Sequence, residues 1–294
     1  MKAQVFAGDC ADFLTSQPEP RTLDLTFLDP PFNQAKAYEH HDDDMPEAAY
    51  WAWMARICRL IHERTSQGGA IYFMQREKNA EQVLSCLRET GWTLQNLIIW
   101  KKLTSAVPST VRYGKAYQII AYATKGARPR VFHRLRINPP LPANYRFERK
   151  NGMFVTDIWD DIRELTSGYF AGDEAIRRAN GERAHKQQAP IALLLRILLT
   201  STRPGDAIFD PFAGTGTTLI VGQQLGRAAY GVEIDPANVA LIQDRLDTLR
   251  AADSLAPYQQ DYAFTENLNA IWGAAVTNGH HDDVLDLPLF RQTD

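Results

Sequence analysis

A glycine-rich turn in the last third of the chain constrains the fold more than any other feature. An apolar strand at 207–209 leads into it, a helix at 217–225 follows, and a second strand at 229–234 carries Glu233 near its end. The turn runs Asp210-Pro211-Phe212-Ala213-Gly214-Thr215-Gly216-Thr217-Thr218, and we call residues 210–218 the glycine turn. Strand, crossover helix and strand form a βαβ unit with a parallel sheet. The segment therefore predicts an α/β fold, in which ligands bind outside the carboxyl ends of the strands.

The residue types of the glycine turn suit a ligand that carries a carboxylate, an ammonium group and a ribose. Gly214 and Gly216 lack Cβ, so the chain can turn sharply and its amides can approach a ligand. The amides that open the next helix favour a carboxylate, Asp210 is placed to receive an ammonium group, and Glu233 suits ribose hydroxyls. S-adenosylmethionine carries all three groups. An ordinary strand–helix turn is the alternative; a phosphate site is disfavoured because the Gly-Lys-Ser/Thr of a P-loop is absent from this turn.

A second turn, Asp29-Pro30-Pro31-Phe32, follows an apolar strand at 23–28, and we call residues 29–32 the proline turn. The amino nitrogen of adenine or cytosine is a poor nucleophile because its lone pair is delocalised into the ring. Acceptors for its N–H groups localise that lone pair: Asp29 offers a carboxylate and Pro30 a backbone carbonyl, held rigid because both prolines fix φ. Phe32 offers a flat face for an extruded base. A plain turn is the alternative, since Pro-Pro after a strand is also a stop signal.

The chain between the two turns is strongly basic. Residues 101–150 contain twelve lysines and arginines and one glutamate, a formal charge of +11, and because the whole chain carries −3 the remainder carries −14. A polyanion partner explains this split, since a basic face docks on phosphates; a solvated surface balanced by acids elsewhere is the alternative. The candidate DNA contacts are Arg112, Lys115, Arg128, Arg130, Arg134, Arg136, Arg146, Arg149 and Lys150.

Taken together and in this order, the two turns and the basic segment resemble the β group of DNA amino-methyltransferases over residues 3–250. In that group the catalytic motif comes first, the target-recognition region next and the cofactor motif last. The resemblance implies a circularly permuted Rossmann-like methyltransferase sheet with an inserted target-recognition region. It also implies S-adenosylmethionine as the cofactor and double-stranded DNA with a flipped base as the substrate.

The resemblance also assigns roles to individual residues. It gives the catalytic role to Asp29, Pro30 and Phe32, with Pro31 completing the motif. It gives cofactor binding to the glycine turn and the ribose to Glu233. Gly8-Asp9 resembles the family's Gly-Asp before the first helix, which implies that Asp9 lies near the adenine of the cofactor.

Four segments follow from this organisation. We expect residues 1–124 to form the catalytic half of a methyltransferase domain and residues 189–250 its cofactor-binding half. Residues 125–188, where the periodicity breaks down, are predicted to be the target-recognition insertion. Residues 251–294 are polar without a clear period and are predicted to be a C-terminal tail.

The aspartate that begins the proline turn implies adenine N6 as the target, because a serine there is typical of cytosine-N4 enzymes in this family. We therefore expect a site-specific DNA adenine-N6 methyltransferase of the kind found in restriction–modification systems. A cytosine-N4 DNA methyltransferase and a non-catalytic, methyltransferase-like subunit that binds nucleic acid remain open. An enzyme acting on RNA or on a protein glutamine is a further alternative, although the basic segment favours a polyanion and the protein version usually begins its motif with asparagine.

The remaining sequence features predict a cytoplasmic protein. Cys10, Cys58 and Cys86 form no CxxC pair, which is typical of a reducing compartment. The N-terminus lacks the apolar stretch of a signal peptide, and the longest apolar run, 191–199, is too short to span a bilayer. Some relatives form homodimers, and nothing in the sequence decides whether this chain does.

Two short segments carry weaker signals. The peptide Leu285-Asp286-Leu287-Pro288-Leu289-Phe290 resembles those by which bacterial DNA enzymes bind the sliding clamp, although the usual preceding glutamine is absent; packing against the chain's own body is the alternative. The run His40-His41-Asp42-Asp43-Asp44 predicts a solvated loop rather than a metal site, because consecutive residues rarely point at one ion.

Overall fold

The computed structural model describes residues 3–16, 22–34, 43–103, 107–139, 149–165, 172–177, 181 and 188–273. Its strands are β1 (Gln4–Ala7), β2 (Leu23–Leu28), β3 (Thr65–Arg76), β4 (Thr93–Lys101), β5 (Tyr117–Thr124), β6 (Arg136–Ile137), β7 (Met153–Phe154), β8 (Ile158–Trp159), β9 (Ala207–Asp210) and β10 (Ala228–Glu233). Its helices are α1 (Cys10–Ser16), α2 (Glu47–Arg64), α3 (Ala80–Glu89), α4 (Ile191–Ser201), α5 (Thr217–Gln224), α6 (Pro236–Asp247) and α7 (Leu268–Trp272). Short 3-10 turns occupy Glu77–Asn79, Gly172–Glu174, Ala251–Asp253 and Ala256–Tyr262.

Eight strands form one sheet in the order β1-β10-β9-β2-β3-β5-β4-β8, while β6 and β7 form a separate antiparallel pair. The first five strands of that order are parallel. β5 is antiparallel to both β3 and β4, and β8 pairs parallel with β4. The late strands β9 and β10 thus lie between β1 and β2. This is the circularly permuted, Rossmann-like sheet that the resemblance implies.

Helices cover both faces of the sheet. The apolar sides of α1, α2 and α3 pack on one face, and those of α4, α5 and α6 pack on the other. α4 is apolar around most of its circumference (sequence IALLLRILLTS) and is buried along nearly its whole length, as expected of a helix enclosed on all sides. α6 begins at an aspartate cap, because the Asp235 carboxylate accepts from the Ala237 amide and Pro236 occupies the first turn.

Residues 251–273 differ from the predicted polar tail. Four apolar side chains of this stretch are buried in the same core as α4: Leu255, Tyr262, Ile271 and Trp272. The Arg227 guanidinium holds its end, since it donates to the carbonyls of Ile271 (2.7 Å) and Trp272 (3.0 Å). The segment folds largely as 3-10 turns, whose irregular spacing of apolar residues shows no helical period in the sequence.

Part of the predicted recognition insertion also belongs to the main body. β8 extends the sheet beside β4, and four side chains of the insertion join the main core: Leu135, Ile137, Trp159 and Ile162. Among the described residues, we find no helix with the length and apolar character that a membrane span requires.

Candidate active site

The proline turn and the glycine turn lie side by side at one edge of the sheet. β2 pairs with β9, with Leu25 opposite Ile208 and Thr26 opposite Phe209. Continuing this register brings Asp29, just after β2, beside the first residues of the glycine turn at the strand spacing of about 5 Å. Chain order reverses between these strands, because β9 leads to β10 on one side and β2 leads to β3 on the other. Such a reversal is where open α/β sheets bind ligands. We call this edge, where the parallel strands end, the carboxyl edge.

Two buried carboxylates hold the glycine turn in shape. Asp210 accepts from the Phe212 amide (3.1 Å) and from the Thr218 hydroxyl (2.6 Å), so it joins the start of the turn to the first turn of α5. Glu233, at the end of β10, accepts from the amides of Gly214 (2.7 Å) and Asp235 (2.9 Å). The acids predicted to bind the cofactor therefore also position the backbone around the ligand site.

Two glycines at the carboxyl edge face open space. Gly214 has φ +55°, and a Cβ added there would meet nothing closer than the Phe212 carbonyl oxygen at 3.8 Å. Gly8 follows β1 with φ +136°, and a Cβ there would meet no atom within 4 Å. Gly216 is different: its φ is +80°, and a Cβ would lie 2.8 Å from the Ile242 side chain. Gly216 is thus required for packing, whereas Gly8 and Gly214 border open space at the carboxyl edge.

Burial changes the ionisation of both acids at the glycine turn. Burial raises the pKa of Asp210 to about 7, although its hydrogen bonds from Thr218 and Phe212 oppose the shift. Burial also raises the pKa of Glu233. Burial destabilises the charged form of each carboxylate, so both acids favour a ligand that brings a positive group or hydroxyl donors.

The other predicted cofactor residues lie at the same carboxyl edge or at the start of α5. Asp9 caps α1, since one carboxylate oxygen accepts from the amides of Ala11 (2.8 Å) and Asp12 (3.1 Å). The neighbouring Gly8 amide donates to the Glu233 carbonyl (3.0 Å), so Asp9 stands at the same edge as the glycine turn. The remaining members are the buried or half-buried residues of the turn and the start of α5: Pro211, Phe212, Ala213, Thr215, Thr217 and Thr218.

A chain of buried hydrogen bonds supports the proline turn from behind. The Tyr50 hydroxyl on α2 donates to the Pro31 carbonyl (2.8 Å), and the Gln75 amide on β3 donates to the Tyr50 hydroxyl (2.9 Å). The Gln75 carbonyl oxygen in turn accepts from the Arg76 amide (2.9 Å). Burial raises the pKa of Tyr50, so its hydroxyl stays a donor at neutral pH. Neither residue was singled out from the sequence.

Replacing Tyr50 by phenylalanine is expected to slow catalysis without weakening ligand binding at the glycine turn. The variant keeps the buried ring but loses the bond to Pro31 and leaves a Gln75 donor unpaired, a loss of about 1–3 kcal/mol. We expect kcat to fall about tenfold, because the backbone acceptor of the turn is less well placed. Steady-state kinetics with cofactor titration measures this split. An unchanged kcat, or an equal loss of cofactor affinity, contradicts it.

Asn33 and Asp43 fix the backbone that directly follows the proline turn. Asn33, at φ +52°, exchanges side-chain hydrogen bonds with the backbone of Met45 (2.7 and 2.8 Å). The Asp43 carboxylate accepts from the amides of Asn33 (2.8 Å) and Gln34 (3.0 Å) and is buried. Prediction of the acidic run as a solvated loop was therefore wrong for Asp43, which takes a structural role; residues 40–42 lie outside the described residues.

Phe32 is only 4% exposed. Its stacking on a base stays a prediction, and it requires the residues that cover this ring to open when the base enters.

The structure separates the predicted DNA contacts into groups. Arg112 and Lys115 lie in the loop between β4 and β5, which projects from the carboxyl edge, and Lys115 pairs with Glu77 (3.2 Å). Arg128 and Arg130 lie at the opposite edge, because β5 runs antiparallel to β3 and ends there. Arg130 forms ion pairs with Asp206 and with Asp24 (3.3 Å). We therefore assign Arg130 a structural role and place Arg128 away from the two turns.

The last group surrounds the β6–β7 pair. Arg134 and Arg136 stack on the Phe154 ring, 5.0 and 3.9 Å from its centroid. Arg149 donates to the Pro139 carbonyl (3.0 Å), and Lys150 follows it in a turn. Arg146 lies outside the described residues. These cations form a surface beside the sheet, and their contact with DNA stays a prediction.

Lys102 is a cation that the sequence did not distinguish from its basic neighbours. It follows β4 at the carboxyl edge, and its ammonium lies 5.2 Å from the centroid of the Trp100 ring. Burial lowers the pKa of Lys102, while the nearby carboxylates of Glu164 and Asp29 oppose that shift. The Asp29 carboxylate is thus within electrostatic range of a partly buried ammonium.

The profile of an N6/N4 DNA methylase family matches residues 23–244. The chain is 28% identical over 263 residues to the DNA adenine methyltransferase YhdJ of Escherichia coli K12, which covers 83% of this chain and 82% of that protein. It is 26% identical over 263 residues to the type II methyltransferase M.BamHI of Bacillus amyloliquefaciens, covering 83% of this chain but 56% of that protein.

Two solved structures share the fold. The complex of M1.HpyAVI with SAM superposes with a TM-score of 0.55 at 19% identity, over 84% of this chain and 100% of the other. The cytosine-N4-specific PvuII DNA methyltransferase superposes with a TM-score of 0.62 at 18% identity, over 90% and 92% of the two chains.

Proposed function

This chain belongs to the N6/N4 DNA methylase family, and from that membership we propose that it transfers the methyl group of S-adenosylmethionine to the N6 atom of a flipped adenine in double-stranded DNA. The observation that carries the proposal is the pairing of β2 with β9, which sets Asp29 beside the glycine turn. An amino group held by the first turn then meets a methyl donor held by the second.

The chain's own residues supply positioning and charge. Asp29 and the Pro30 carbonyl accept the two N–H groups of the target, which localises the nitrogen lone pair and aims it at the glycine turn. The Asp29 carboxylate stabilises the positive charge that develops on nitrogen as the new N–C bond forms. Tyr50 holds the Pro31 carbonyl, and Asp43 holds the backbone amide that follows the proline turn. When bound, S-adenosylmethionine supplies the sulfonium methyl group.

The residues at the glycine turn fit this cofactor. Gly214 and Gly8 face open space at the carboxyl edge, where an added Cβ would meet no atom closer than 3.8 Å. Asp210 is the acid suited to its ammonium group, Glu233 to its ribose hydroxyls and Asp9 to its adenine. The raised pKa values of Asp210 and Glu233 support these roles, because a cationic or hydroxyl-bearing ligand relieves the burial of each carboxylate.

Asp210→Asn is expected to stabilise the protein at pH 8 while weakening S-adenosylmethionine binding. Burial raises the pKa of Asp210 to about 7, against about 3.9 in an unfolded chain. The folded chain therefore keeps a proton that the unfolded chain loses, and stability falls as the pH rises from about 4 to 7. The amide carries no charge, so we expect a gain on the order of 1–3 kcal/mol at pH 8.

Thermal melts at pH 5 and pH 8 and calorimetry with S-adenosylmethionine measure both effects. The difference in melting temperature between wild type and variant should be smaller at pH 5 than at pH 8, and cofactor affinity should fall about tenfold or more. Equal stability at pH 8, or full cofactor affinity in the variant, contradicts the assigned role of Asp210.

Mass analysis of nucleosides tests the reaction itself. DNA incubated with the protein and S-adenosylmethionine should contain N6-methyladenine, and DNA incubated without the cofactor should not. N4-methylcytosine instead would establish the cytosine-N4 alternative. Neither product, with DNA binding retained, would establish the non-catalytic alternative. Sequencing methylated DNA from a host that expresses the chain gives the recognition site.

Three finer predictions accompany this proposal. A cytoplasmic location stays a prediction, and the homodimer that the sequence left open is testable by light scattering. Binding of a sliding clamp concerns residues 285–290, outside the described residues; a pull-down comparing the full chain with one ending at Gly279 tests it. Equal retention of the clamp by both chains ends that idea.

A further inference from the structure

The described residues of the loop between β4 and β5 present four large apolar side chains to solvent. Leu103 is 64% exposed, Val107 90%, Val111 80% and Tyr113 98%. A short turn shapes its tip, since the Ser109 amide donates to the Arg112 carbonyl (3.0 Å). Exposed apolar side chains grouped in one place mark a contact surface rather than ordinary solvent exposure.

The base of this loop is anchored beside the proline turn. Lys101 pairs with Tyr117, and the Lys102 amide donates to the Ala116 carbonyl (2.7 Å), so both limbs leave the sheet at the carboxyl edge. The ion pair of Lys115 with Glu77 ties the returning limb to the end of β3, the strand next to β2. β5 lies two strands from β2, a distance of about 10 Å. The base of the loop therefore lies at the same edge as Asp29, two strands away from β2.

The charge of the loop identifies its partner. Lys101, Arg112 and Lys115 surround the exposed apolar residues, and residues 101–125 contain no acid. Cations beside an apolar tip fit a duplex, in which phosphates flank the base stack.

We propose that Tyr113 enters the DNA base stack next to the extruded target and stabilises the flipped state, an inference that rests on the proposed DNA methyltransferase function. Removing a base from the duplex leaves its neighbours unstacked, and an inserted apolar or aromatic side chain offsets that loss. Val107 and Val111 flank the inserted ring, and Arg112 contacts an adjoining phosphate, while Lys115 keeps its ion pair with Glu77. Tyr113 acts through the position of the base and is a positioning residue.

The experiment compares Tyr113→Ala, Tyr113→Phe and Tyr113→Trp on two duplexes that carry the recognition site found by sequencing. One duplex is fully paired, and the other has a mismatch opposite the target base. On the paired duplex we expect kcat of the alanine variant to fall about tenfold, with the aromatic variants near wild type. On the mismatched duplex, where extrusion is easier, the alanine variant should come within about threefold of wild type. When 2-aminopurine replaces the target base, its fluorescence should rise on binding of wild type, Tyr113→Phe and Tyr113→Trp, but not of Tyr113→Ala.

The melting temperatures should not change, since Tyr113 is exposed. An alanine variant as active as wild type on the paired duplex overturns the proposal, and so does an equal loss on both duplexes. Conversion of a wild-type dimer to a monomer by Tyr113→Ala also overturns it, because the loop is then a self-association surface. Failure of the wild type to methylate any DNA is a separate result that ends the proposed function.

Discussion

Asp29→Ala is expected to lower the methylation rate by a factor of about 1,000 or more, while S-adenosylmethionine still binds. The variant removes the one carboxylate that the proline turn offers to the target amino group. The nitrogen lone pair then stays delocalised in the ring, and its developing positive charge loses its nearest counter-charge. The glycine turn lies on a different strand, and its shape depends on Asp210 and Glu233 rather than on Asp29.

Asp29→Asn is the matched control. It preserves the shape and one acceptor oxygen of the side chain, so we expect a loss intermediate between wild type and alanine. Single-turnover kinetics measures the chemical step, and calorimetry measures cofactor binding. Near-normal turnover by Asp29→Ala would show that another group polarises the amino nitrogen. Lys102 is within electrostatic range of Asp29. It cannot take that role, because an ammonium group offers no hydrogen-bond acceptor.

Local residue patterns in the sequence mark the positions of the two turns. Asp29 and Asp210 each end an apolar strand and precede prolines or glycines, so the position of each turn follows from neighbouring residues. Their proximity also follows, because parallel strands bring their carboxyl ends to one edge. The structure adds that Asp210 and Glu233 accept hydrogen bonds from the backbone of the glycine turn. The sequence does not show that Glu233 faces Gly214.

Long-range supports had no local signature. Tyr50 on α2 bonds the proline turn, and Gln75 on β3 bonds Tyr50. Neither the type nor the spacing of these residues indicates this contact. The basic segment shows the opposite limit, since its charge was evident but its placement was not. Arg112 precedes β5 and Arg130 follows it. Because β5 is antiparallel to β3, the two residues therefore lie at opposite edges of the sheet. The charge of the segment predicts a polyanion partner, and the direction of each strand determines which cations lie at the edge that holds the two turns.

Arg245→Ala is expected to lower the free energy of unfolding by about 3–5 kcal/mol, the largest stability effect that we predict. Arg245 is buried on α6 and donates to both oxygens of the buried Asp253 carboxylate (2.9 and 3.2 Å) and to the Thr215 carbonyl in the glycine turn. Its removal leaves a buried carboxylate with one cation fewer. It also frees the Thr215 carbonyl, so cofactor affinity should fall with stability. Denaturant unfolding and calorimetry measure the two effects.

Arg250→Ala provides the control, because Arg250 binds the same carboxylate (2.6 and 2.8 Å) but is 31% exposed and does not touch the glycine turn. We expect a loss of about 1 kcal/mol and unchanged cofactor affinity. Burial alone would raise the pKa of Asp253, but the hydrogen bonds from Arg250 and Arg245 outweigh it and lower that pKa. The ion pair therefore stabilises the fold above about pH 4 and loses its effect as the pH falls further. Equal losses from the two variants would show that Asp253 alone carries the effect, whereas a loss of cofactor affinity confined to Arg245→Ala would show that the core of the domain and the glycine turn are coupled through one guanidinium.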